Sequence, residues 1–105
     1  MKLSTMTSAA DRASALLKSL ANRHRLLILC RLCQQESSVG ELAELLGIRD
    51  ANVSQHLALL RREGLVTARR EGQTIWYAIC SPPARMLVEA LYRAYCAPTG
   101  RARKQ

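Results

Sequence analysis

No stretch of this chain stays apolar for anything near the ~20 residues that a membrane span requires. A typical apolar run, Leu26 to Cys30, is bounded by arginine on both sides. The start, MKLSTMTSAADRAS, lacks the hydrophobic segment and cleavage pattern of a secretory signal, so the chain is expected to remain in the cytoplasm. Acidic residues are scarce. Eight Asp plus Glu stand against sixteen Lys plus Arg, a formal net charge of +8. Such a balance attracts a polyanion and speeds encounter with it, which makes nucleic acid the leading partner. Cysteine is limited to Cys30, Cys33, Cys80 and Cys96, and in a reducing compartment these pose a redox or metal question rather than a disulfide framework. At 105 residues the chain makes one domain with one modest core, and a chain so small commonly adds buried area by dimerising. No internal repeat or linker divides residues 1–105. Residues 1–6 and 98–105 are expected to be flexible tails.

What is present is helical periodicity. Thr7 or Ser8 can cap a first helix in which Ala13, Leu16, Leu17 and Leu20 recur on one face. Asn22 is placed to cap a second helix through Gln35, where Leu26, Leu29, Cys30 and Cys33 form one stripe facing the core. Ser37 or Ser38 caps a third, with Glu41 at the capping-box spacing from Ser38; Leu42, Leu45 and Leu46 face inward and Gly47 ends it. Asp50 can cap a fourth helix, with Val53, Leu57 and Leu60 inward and Gly64 as its stop. The period then changes to alternation. Leu65–Arg70 and Thr74–Ile79 flank the Gly-containing loop Glu71-Gly72-Gln73, a two-stranded wing. Ser81 with Pro82-Pro83 opens a last helix to about Ala97, closed by Pro98 and Gly100. The expected fold is mainly α with a small β-hairpin: a winged helix-turn-helix in the order ααααββα.

The stretch Ser37 to Gly64 has the pattern that lays its second helix in a DNA major groove. On that helix the face opposite Val53 and Leu57 carries Ala51, Gln55, Ala58 and Arg62, flanked by Asn52, Ser54 and His56. Gln and Asn can bond adenine edges in bidentate fashion, Ser can donate or accept, and the alanines allow approach to a thymine methyl. A polar helix face is ordinarily just solvated; the adjoining turn, hairpin and charge favour the reading face. Arg49, Arg61 and Arg62 are placed for phosphate, and on the wing Arg69, Arg70 and the tip residue Gln73 suit backbone or minor-groove contact. Arg70 has the alternative of pairing with Glu71 or Glu63.

LKSLANRHRLLIL, SVGELAELLGI, NVSQHLALLRREGLV and RREGQTIWYAI resemble successive blocks of the ArsR family of small winged-helix repressors, over roughly Leu16 to Cys96. The resemblance implies a cytosolic homodimer joined through the first and last helices, bound to a promoter palindrome until an inducer arrives. Many members carry Asp-Pro where this chain has Asn22-Arg23, a departure that touches only the start of the second helix. Arsenic, lead and cadmium sensors of the family carry Cys-x-Cys in the third helix, where this chain has Ser38 and Gly40. Zinc sensors place Asp and His along the last helix, which here has no His. Neither metal site is present in its usual form.

Cys30 in LLILCRL and Cys96 in ALYRAYCAP resemble instead the dithiol of the sulfide- and persulfide-responsive branch of that family, the BigR and SqrR type. On the wheel Cys96 lies away from Leu87 and Leu91, so the apolar stripe of its helix does not account for it. The resemblance implies low-molecular-weight persulfides as inducers, linking the two cysteines through a disulfide or polysulfide, with no cofactor. Cys33 reads as core or bystander, or as a third sulfur ligand; a metal-responsive or general redox-responsive repressor using Cys30, Cys33 and Cys96 is the alternative. Cys80 reads as packing. His24 and His56 read as a helix-start surface residue and a DNA-facing donor, which leaves no base beside a cysteine and argues against a thiol enzyme.

Overall fold

A computed structural model describes residues 1–96 of the chain; the expected stops Pro98 and Gly100 and the tail 98–105 lie outside them. In order, the elements are α1 (Leu3–Leu20), α2 (Arg23–Gln34), β1 (Ser37–Ser38), α3 (Val39–Leu46), α4 (Asp50–Arg62), β2 (Val66–Glu71), β3 (Thr74–Ile79) and α5 (Pro82–Tyr95). Five helices and a small sheet make a winged helix-turn-helix.

The helix ends follow the chemistry of their caps. Asn22 accepts from the Arg25 N–H at 3.0 Å and starts α2 without the Asp-Pro pair. Ser38 and Glu41 form a complete capping box at α3: the Ser38 hydroxyl accepts from the Glu41 N–H at 3.1 Å, and the Glu41 carboxylate accepts from the Ser38 N–H at 3.2 Å. Gly47 closes α3 at φ +71°, a left-handed position that a Cβ would strain, and Ser81 caps α5 ahead of its two prolines. Two expected caps are displaced. Helix α1 begins at Leu3, so most of the expected frayed start is helical, and Thr7 donates back to the Leu3 carbonyl inside the helix. Helix α4 is capped by Arg49, leaving Asp50 in its first turn, where a carboxylate still favours the helix dipole.

The wing differs from a plain hairpin. Strands β2 and β3 pair antiparallel from Val66 with Ile79 to Glu71 with Thr74, around a two-residue Gly72-Gln73 turn with Gly72 at φ +63°. Strand β1 then adds to the other edge of β3, Ser37 opposite Tyr77 and Ser38 opposite Trp76, giving a three-stranded sheet in the order β1-β3-β2. Two serines carry no alternation for a pattern to detect; they pair because the chain must cross β3 on its way into α3. The result locks the cap of α3 to the wing.

The core lies under α4. Ile28, Leu29 and Leu32 of α2, Leu42 of α3, and Val53, Leu57 and Leu60 of α4 are almost wholly buried, joined by Leu20, Leu65, Val66, Ala84 and Val88. The inward face of α2 is therefore centred on Ile28, Leu29 and Leu32, and Cys30 and Cys33 sit half-buried on its flank. Leu17 and Leu45, expected inside, are 56% and 57% exposed. Arg25 ties α1 to this core by donating from Nε to the Ser19 carbonyl at 2.7 Å, satisfying one carbonyl at a helix end that lacks intrahelical partners. Among the described residues no helix is long and apolar enough to cross a membrane.

Candidate functional site

Helix α4 stands on the core by Val53, Leu57 and Leu60 and turns Ala51, Asn52, Ser54, Gln55, Ala58, Arg61 and Arg62 outward. That outward set matches the expected reading face with one exception. His56 is half-buried, and its ring is 5.8 Å from the His24 ring at the start of α2, tilted by 50°. Burial lowers its pKa, and the charges of Arg25 and then His24 act in the same direction. The wheel puts position 56 at the margin of the face; the packing of α4 on α2 turns its side chain toward the protein.

The wing arginines separate. Arg69 donates from Nη2 and Nε to the two carboxylate oxygens of Glu36 at 2.7 and 3.0 Å, and from Nη1 to Glu71 at 3.1 Å. The hydrogen bond from Arg69 holds the Glu36 carboxyl below its ordinary value, and both acidic partners raise Arg69 in turn. Arg69 is thus a fastener between the wing and the segment ahead of β1. Arg70, next along the strand, makes no ion pair among the described residues, so the alternative partners Glu71 and Glu63 are not used. Arg49, Arg61 and Arg62 are likewise exposed and without ion-pair partners among the described residues, and Gln73 stands at the exposed tip of the wing.

The cysteines occupy the opposite side. A cleft of about 590 Å³ opens between α2, α3 and α5; Cys30 and Cys33 line it together with Leu27, Leu45, Val88 and Tyr92. Burial pushes the Cys30 thiol up, and the neighbouring sulfurs of Cys33 and then Cys96 add to the effect. Cys96 is exposed at the C-cap of α5, the helix that packs against α2. Burial also raises Cys33; the Arg85 guanidinium opposes that rise and Glu89 adds to it. Arg85 donates from Nη1 to the Cys33 carbonyl at 3.1 Å and fastens α5 to the end of α2. Cys80 is exposed rather than packed, its thiol 3.5 Å from the Gly64 carbonyl. Among the described residues no three His, Cys, Asp or Glu side chains gather closely enough to hold a metal ion, so Cys30, Cys33 and Cys96 are not assembled into a three-thiolate site.

A second groove, of about 990 Å³, runs between α1 and α5, with Ala13, Leu16, Met86, Leu87 and Ala90 in its walls. Beside it Leu17, Met86 and Leu91 are exposed. Sequence reasoning named both helices but not the Glu36–Arg69 pair, the α2–α5 fastener Arg85, or the histidine contact, since each joins positions remote in the chain.

Residues 22–68 match the profile described as bacterial regulatory protein, arsR family. The chain is 46% identical over 96 residues to the transcriptional activator HlyU of Vibrio cholerae, covering 91% of this chain and 89% of that one. The crystal structure of the transcriptional repressor BigR from Xylella fastidiosa superposes with a TM-score of 0.87 at 39% identity, over 93% of this chain and all of that one. A homodimeric winged helix-turn-helix DNA-binding domain from Mycobacterium bovis superposes with a TM-score of 0.74 at 33% identity, over 84% of this chain and 82% of that one.

Proposed function

The chain belongs to the arsR family of bacterial regulatory proteins and is a transcriptional regulator, and we propose that it is a cytoplasmic, homodimeric repressor that releases its operator when reactive sulfur joins Cys30 to Cys96. The described residues act as one winged-helix unit. Asn52, Ser54 and Gln55 read base edges, Arg49, Arg61, Arg62 and Arg70 hold phosphates, Gln73 reaches the backbone from the wing, and His56 and Arg69 brace the reading surface. The exposed apolar residues beside the α1–α5 groove support dimerisation there, since they leave apolar area uncovered in one chain.

The observation that supports the inducer reading is a half-buried thiol on α2 and an exposed one at the end of α5, on two helices fastened together by the bond from Arg85 to the Cys33 carbonyl. Cys96 is the accessible nucleophile. Its thiolate attacks the outer sulfur of a persulfide R–S–SH and expels RS⁻; the Cys30 thiolate then attacks Sγ of Cys96 and expels HS⁻, leaving a disulfide. If Cys30 has itself taken up a sulfur, its perthiolate attacks in the same way and a trisulfide forms. The sulfane sulfur is the oxidant. The link joins α2 to a dimer helix and changes the separation of the two α4 helices, which must span half-sites ~34 to 36 Å apart. Repression is the consistent sign, because loosening the protein from DNA raises transcription only where bound protein blocks it.

The test is operator binding followed by fluorescence anisotropy, with and without glutathione persulfide. Cys30→Ser and Cys96→Ser are expected to bind DNA as the native chain does and to stay bound when the donor is added. Normal release by Cys96→Ser overturns the dithiol reading, as does a stoichiometric, tightly bound metal ion in anaerobically purified protein.

A further inference from the structure

The cleft holds a nucleophile that the dithiol scheme leaves idle. Cys33 lies one turn beyond Cys30 on α2, is half-buried like it, and lines the same cleft, whereas the interior face of α2 is filled by Ile28, Leu29 and Leu32. It is therefore open to whatever small donor reaches Cys30. We propose that Cys33 is a second sulfur-capture site, closing a trisulfide with Cys30 inside α2 that withholds Cys30 from Cys96 and so sets the dose of reactive sulfur at which the repressor lets go. This rests on the dithiol reading above.

Helix geometry selects the product. Residues three apart on a helix have Cβ atoms about 5 to 6 Å apart, whereas a relaxed disulfide needs about 3.5 to 4.5 Å. A direct Cys30–Cys33 disulfide must distort α2. One interposed sulfur adds an S–S bond of about 2 Å to the bridge, which closes the gap without unwinding the helix. Peroxide supplies no sulfur and cannot make this bridge. A persulfide can.

Position suits Cys33 to the attacking role. It lines the cleft one turn from Cys30, and Arg85, held over the end of α2 by its bond to the Cys33 carbonyl, sets a guanidinium beside the sulfur that partly offsets the rise burial imposes on the thiol. Each thiolate takes the outer sulfur of one R–S–SH and expels RS⁻. The Cys33 perthiolate then attacks Sγ of Cys30, breaking its bond to the outer sulfur, and HS⁻ leaves. Two donors are reduced to two thiols, one hydrosulfide is released, and the two cysteines are oxidised to Cys30–S–S–S–Cys33. Both ends of this bridge lie on α2, so it exerts no pull on α5 and leaves the DNA-bound arrangement unchanged.

Trypsin makes the bridge visible, because Arg31 lies between the two cysteines and the peptides Leu26–Arg31 and Leu32–Arg49 separate unless linked. Cys96→Ser treated anaerobically with glutathione persulfide is expected to give these two peptides joined with ~32 mass units beyond a disulfide, one added sulfur, while its operator complex stays intact. Cys33→Ser and Cys33→Ala are expected to release DNA at a lower ratio of donor to protein than the native chain. The proposal is overturned if Cys96→Ser carries only open persulfides on Cys30 and Cys33, or if both Cys33 variants release at the native dose. Failure of the dithiol reading has a different signature: Cys96→Ser then leaves DNA whatever its peptide map contains.

Discussion

The separation of Arg69 from Arg70 makes a quantitative prediction about salt. Each cation that neutralises a phosphate releases condensed counterions, so log K falls with log salt at a slope of about −0.9 per contact on duplex DNA. Arg49, Arg61, Arg62 and Arg70 are exposed and without ion pairs among the described residues, whereas Arg69 is committed to Glu36 and Glu71. Those four arginines on each of two protomers give roughly eight contacts, hence a slope of about −7, and affinity should drop by a factor of about 10⁴ between 50 and 200 mM salt. Arg70→Ala removes two contacts from the dimer and should flatten the slope by about 2. Arg69→Ala should leave the slope as it was, and Glu36→Gln, which frees one side of Arg69, should steepen it by up to about 2. The assay is anisotropy of a labelled operator duplex across a chloride series at fixed pH. The reasoning is refuted if Arg69→Ala flattens the slope as much as Arg70→Ala does.

Two further outcomes concern residues that brace α3 and α4. Ser38→Ala removes the acceptor of the Glu41 N–H and opens the capping box, and should lower stability by about 1 kcal/mol; urea unfolding at constant protein concentration measures it, and an unmoved midpoint would show that the cap does not hold α3. The His56 pKa is lower in the fold than in the unfolded chain, so the unfolded chain binds the proton more readily: stability is complete above about pH 6.5 and declines as pH falls below it. His56→Gln should flatten the pH dependence below about pH 6.5; an unchanged profile would remove His56 from the account.

The order of helices, hairpin and last helix was legible because each has a local cause: Asn22, the Ser38–Glu41 box and Ser81 with its prolines start helices, Gly47 stops one, and the change from a 3.6 to a 2 period marks the wing. The outward set of α4 was legible for the same reason, since helical spacing alone opposes Gln55 to Val53 and Leu57. The displaced starts of α1 and α4 lack a strong local signal. Thr7 turns its hydroxyl back into α1, and Arg49 caps α4 by backbone conformation with no side-chain bond.

What the sequence determined by itself is therefore the element order, the outward polar face of α4, and the placing of four cysteines with none in α3. Only the tertiary structure decided which polar groups are left for a partner. Arg69 meets Glu36 across 33 positions of chain, and Arg85 meets Cys33 across 52. His56 is turned inward by the approach of α2, and Ser37–Ser38 become a strand because β3 offers an open edge. Periodicity reports how neighbours in the chain share a face; an ion pair or a strand edge depends on where two remote segments come to lie, which the packing of α2, α4 and α5 around one core decides.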